Sequence, residues 1–86
     1  MRWFRVAAEA GYAKAQRNLA FRYARGEGIA ADNVSALVWS SLATEAGLIE
    51  AARLRESLLE RMPASEIALA KHKIEMERAR IAAAQK

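Results

Sequence analysis

The sequence predicts an all-α protein, a superhelical (solenoid) stack of antiparallel helix hairpins, and three observations predict it. Alanine dominates an apolar share of 53%, and alanine loses no side-chain entropy on entering a helix. No segment alternates apolar and polar residues convincingly with period two, so nothing reads as a strand. Finally, "AAEAGYAKAQ" at 7–16 is echoed 36 positions later by "ATEAGLIEAA" at 43–52. At that offset Trp3 falls on Trp39, Ala7 on Ala43, Glu9 on Glu45, Ala10 on Ala46, Gly11 on Gly47, Ala15 on Ala51 and Arg17 on Arg53. A shift that matches a tryptophan and a glycine together is an internal repeat, and a period between about 20 and 50 residues marks units stacked in series.

The breakers then divide the chain. A first helix over 2–10 ends at Gly11, which tolerates the left-handed backbone of a helix terminus. A second, over 13–25, places Ala15, Leu19 and Tyr23 one turn apart with Ala20 beside them, and stops at Gly26 and Gly28 in "RGEGIAADN". The third, over 33–46, follows a cap at Asp32 or Asn33 and lines up Ala36, Trp39 and Ala43, flanked by Leu42. Gly47 ends it. A fourth helix over 49–61 runs to the break at Pro63, after which Ser65 and Glu66 suit the first turn of a fifth, over 64–83. There Ile67, Ala70, Ile74 and Ile81 share one side.

Composition limits what such a chain does. An 86-residue domain buries only about 60% of the surface its unfolded form exposes, and alanine-rich faces bury little area each. With no cysteine there is no disulfide, thiolate metal site or thiol nucleophile. No apolar run approaches the roughly 20 residues that span a bilayer. "MRWFRVAAEA" starts positive but has no signal-length apolar core before Glu9. The default expectation is a cytoplasmic protein. The net charge of +4 is interleaved with glutamates, so it permits acidic partners without demanding them.

The middle of the chain, "AQRNLAFRYARGEGIAADNVSALVWSSLATEAGLIEAA", resembles a Sel1-like repeat, a relative of the tetratricopeptide repeat. The pattern is met by Ala15, Leu19, Tyr23, Gly26, Gly28, Asp32, Ala36, Trp39, Ala43, Gly47 and Ala51. It is met with departures by Ala20 for glycine, Ile29 for valine and Thr44 for alanine. The resemblance implies one domain over 1–86. Residues 1–12 are the second helix of a truncated repeat, 13–48 a full repeat, and 49–86 a degenerate helix followed by a capping helix. That makes about one and a half repeats and a cap. In the degenerate helix Arg55 takes the leucine position, Leu59 the tyrosine and Met62 the glycine. Trp3, Trp39 and Tyr23 are then packing residues rather than ligand-stacking ones. The helix that begins with Trp3 and Phe4 lacks a preceding helix to cover it. Either the chain is the tail of a longer protein, or this open N-terminal edge pairs with a second copy as a homodimer.

What the resemblance implies for function is protein–protein interaction, an adaptor or scaffold of the assembly and signalling kind common in bacteria, non-catalytic and without cofactor. The residues agree in offering little else. "GEGIAADN" lacks the strand and the lysine of a phosphate loop. His72 is the single histidine and sits in a charged run, with no second metal ligand and no nucleophile placed beside it. One stripe on the second helix is sharper: Lys14, Arg17, Phe21 and Arg25 recur at helical spacing opposite its apolar face. In repeats of this type that stripe lines the concave groove, which implies a basic groove suited to an acidic peptide segment with an apolar anchor. Replacing Arg17 and Arg25 by glutamate is then expected to abolish capture. The plain alternative is a solvated face whose ring packs on its neighbour. The C-terminal run "KHKIEMERARIAAAQK" raises a second function, a small basic helical protein that binds nucleic acid. Glu75 and Glu77, placed to pair with Arg78 and Arg80, weaken it.

Overall fold

The expected helices form with bounds shifted by no more than one residue: α1 (Arg2–Glu9), α2 (Ala13–Arg25), α3 (Asn33–Glu45), α4 (Ile49–Arg61) and α5 (Ala64–Ala84). The computed structural model describes residues 2–84, and among these none is in a strand. Met1, Gln85 and Lys86, at the ends of the expected domain and of the C-terminal basic run, lie outside the described residues.

Local chemistry explains the breaks. Between the two candidate caps the choice falls on Asp32, whose Oδ1 accepts from the Ser35 backbone N–H at 3.2 Å and whose Oδ2 accepts from the Ser35 hydroxyl at 2.7 Å. Those contacts satisfy a donor the helix itself leaves orphaned. Met62 is extended (φ −84°, ψ 141°), the conformation a following proline enforces. The Pro63 carbonyl then accepts from Glu66 and Ile67 to start α5. Gly26 stops α2 at φ +73°, with its N–H donating to the Arg22 carbonyl at 2.8 Å. A Cβ there would meet the left-handed penalty and stand 3.3 Å from Ala31 Cβ. Gly26→Ala is therefore expected to cost about 1–2 kcal/mol, read from urea midpoints at unchanged slope.

Packing centres on α3, which touches α2, α4 and α5, while α1 leans on α2. The anticipated one-sided face of α3 is an underestimate: Ala36 through Ala43 are all buried. Its serines make this tolerable. Ser40 turns its hydroxyl onto the Leu37 carbonyl at 3.2 Å, and Thr44 caps the Ser40 carbonyl at 2.7 Å. A helix buried all round is the core element of its domain. On α2 the expected face is the buried one: Ala15, Leu19, Ala20 and Tyr23 join the core. Ala70 and Ile74 of α5 do the same, with Ile67 and Ile81 packed partly against it.

Two repeat-based assignments are corrected. Trp3 is not a packing residue here: it is 74% exposed, whereas its counterpart Trp39 is 5% exposed. Trp39 sits on the helix that three others cover, and Trp3 on one that packs chiefly on α2. In α4 the repeat register would bury Leu59, yet Leu58 is fully buried and Leu59 is 36% exposed. The radius of gyration is 11.8 Å, about that of a globular chain of this length, so the hairpins form a short body rather than an extended arm. No helix among the described residues is long and apolar enough to cross a membrane.

Candidate interaction surfaces

The seam between α1 and α2 is polar as well as apolar. Gln16 is buried and donates from Nε2 to the Ala8 carbonyl at 3.1 Å, which fixes α1 on α2. Arg22 lies over the Phe4 ring at 5.0 Å, and Arg5 lies over the Tyr23 ring at 5.9 Å while donating to its hydroxyl. Phe4 is thereby half-buried, so the open edge expected at Trp3 and Phe4 consists instead of Trp3, Val6 and Tyr12. With Ala7 and Ala10 these three line an apolar depression of about 360 Å³. Large apolar side chains exposed side by side mark a surface made for contact more often than scattered ones do.

The basic stripe on α2 is contiguous but largely spoken for. Arg17 is partly buried and lies 3.8 Å from Glu50 on α4. Arg25 lies 5.1 Å from the centroid of Phe21 and 3.8 Å from Glu27. Phe21 is half-buried beneath it, and Lys14 is exposed. The four residues thus stand together as the spacing required, with two of their three charges already facing carboxylates. Exposed pairs of this kind contribute at most about 1 kcal/mol each.

On α5 the expected pairs Glu75–Arg78 and Glu77–Arg80 both form. Each arginine also reaches a second helix. Arg78 donates from Nε to Glu45 on α3 at 3.2 Å, and Arg80 lies 3.9 Å from Glu9 on α1. Glu9 and Glu45 are the same position of the 36-residue repeat, so the closing helix grips both copies of the echo. Hydrogen bonds to Glu45 and then Glu75 raise the pKa of Arg78 above its ordinary value. His72 is exposed on a cleft of about 360 Å³ between α1 and α5, floored by Tyr23 and Trp39. Among the described residues no three His, Cys, Asp or Glu side chains converge as a metal site would require.

A further cleft, which the sequence reading did not anticipate as a site, opens between α4 and α5 above α3. Its two connected lobes, about 340 and 260 Å³, share Ser41, Arg55, Lys71 and Ile74. The signal was present in the sequence as Arg55, a cation 36 residues after the buried Leu19. No protein-family model matches the chain, and no curated protein matches it.

Proposed function

We propose that this chain is a Sel1-like repeat module, a short superhelical stack that acts as a non-catalytic adaptor or scaffold for protein partners. The observation that carries the reading is the bare apolar face of α1. Trp3 and Val6 on α1 are 74% and 55% exposed, and Tyr12, in the turn that leads into α2, is 68% exposed beside them. A thin-cored domain gains nothing in its own stability from large apolar groups held in water, whereas a docking partner buries them. The 36-residue repeat, with its glycine breaks and tryptophan positions, supports the family assignment.

The reading predicts saturable binding of a fluorescein-labelled peptide alternating glutamate with leucine, followed by anisotropy. A folded Arg17→Glu/Arg25→Glu variant that still binds would remove the α2 stripe as the docking face and leave the module standing. A light-scattering concentration series separates a second copy from a foreign partner. A mass of two chains that reverts to one in Trp3→Ser places the partner copy on α1. The competing reading, nucleic-acid binding, draws on the exposed run Lys71, His72 and Lys73. It predicts duplex binding that collapses steeply with salt, and a chain that binds duplex but no peptide would replace the adaptor reading.

A further inference from the structure

Arg55 is a half-buried cation, and Lys71 an exposed one on the opposite wall of the α4–α5 cleft. Neither has an ion-pair partner among the described residues, although Glu45 and Glu75 stand at the same cleft. Both of those carboxylates are engaged by Arg78. Ser41 lines the cleft as well. Its neighbours Ser40 and Thr44 turn their hydroxyls onto carbonyls of α3, and the Ser41 hydroxyl makes no such bond. The smaller lobe is otherwise walled by apolar groups, Leu37, Leu59, Ile67 and Ile74, while Thr44 and Arg78 line the larger one.

A partly desolvated guanidinium without a counter-charge is costly to keep, and here it stands where the repeat elsewhere places a leucine. Two unpaired cations and a free hydroxyl converge on a slot with apolar sides. That combination suits a carboxylate carried next to an aliphatic side chain. It suits a nucleic-acid strand poorly, because the walls present aliphatic groups rather than rings on which bases stack.

We propose that the α4–α5 cleft is the docking site for an acidic peptide segment of a partner protein. Arg55 and Lys71 hold the peptide carboxylate, Ser41 donates to it, and an adjacent aliphatic side chain of the peptide enters between Leu59 and Ile67. This rests on reading the chain as an interaction module, and it locates the acidic partner on α4 and α5 rather than on the α2 stripe.

The test is anisotropy of the labelled glutamate–leucine peptide and of its glutamine–leucine counterpart against the full chain and three variants. Arg55→Leu restores the repeat's own residue and fills an apolar wall, so its thermal midpoint stays level or rises. Its affinity for the acidic peptide falls about tenfold or more, as loss of a charge-assisted contact requires. Lys71→Gln, on an exposed position where folding is not at stake, weakens binding about threefold or more, while Arg17→Glu/Arg25→Glu stays within about twofold. The glutamine peptide binds about tenfold more weakly to the unaltered chain. If Arg55→Leu and Lys71→Gln bind like the unaltered chain, the cleft assignment is overturned and the module reading survives. Equal binding of the two peptides overturns it as well, since no carboxylate is then being read. Failure of the unaltered chain to bind either peptide removes both the cleft and the acidic partner.

Discussion

Trp39→Ala is expected to cost about 3–5 kcal/mol, while Trp3→Ala, 36 residues earlier in the echoed pattern, changes stability by no more than about 0.5 kcal/mol. The asymmetry follows from cover rather than chemistry. Trp39 stands on α3, against which α2, α4 and α5 all pack, and only 5% of it reaches solvent. Removing it leaves a void at the centre of a domain whose total stability is about 5–15 kcal/mol, so the variant loses a large share of its folded population at ambient temperature. Trp3 forfeits nothing comparable, being 74% exposed. Urea unfolding followed by far-ultraviolet circular dichroism reads both at once. A Trp3→Ala variant as unstable as Trp39→Ala would mean that α1 is covered in solution, and a concentration-dependent midpoint would identify the cover as a second copy.

Much of the architecture was legible because this chain marks its breaks with residues that have few alternatives. Gly11, Gly26 and Gly47 adopt positive φ at three helix ends, and Pro63 separates α4 from α5. The buried stripe of α2 was legible for a similar reason, since its apolar residues are few and regularly spaced. The burial of α3 on every side was not. Ser40 and Ser41 lie off the line of Ala36, Trp39 and Ala43, yet both are buried on the helix against which α2, α4 and α5 pack. The α2 stripe was legible as a row of charges, but not the state of those charges. Glu50 lies 33 residues beyond Arg17, and no local pattern pairs them. The α4–α5 cleft depends on two helices diverging above a third, which periodicity within one helix does not encode. Its one local sign was Arg55 standing where a repeat core residue belongs.

That same arginine accounts for the second large effect. Leu58→Ala is expected to cost about 2–5 kcal/mol, and Leu59→Ala less than about 1 kcal/mol, the reverse of what the repeat register alone predicts. Equivalence to α2 would bury positions 51, 55 and 59. Position 51 obeys, with Ala51 fully buried. Position 55, however, is arginine, and a guanidinium driven into an apolar interior without a counter-charge is penalised far more than a leucine is rewarded. Rotating the inward stripe of α4 back by one residue, about 100° of helix, resolves the conflict. Leu54 then packs against the core, Leu58 is buried, Met62 follows one turn later, and Arg55 moves to the side that faces the α5 cleft. The two leucines therefore report the orientation of α4 directly, because they are adjacent, chemically identical and separated only by that rotation. Should Leu59→Ala prove the more damaging of the pair, α4 would hold the repeat register in solution. Arg55 would then point inward instead of lining the cleft, and the site proposed for the peptide carboxylate would lose its principal cation.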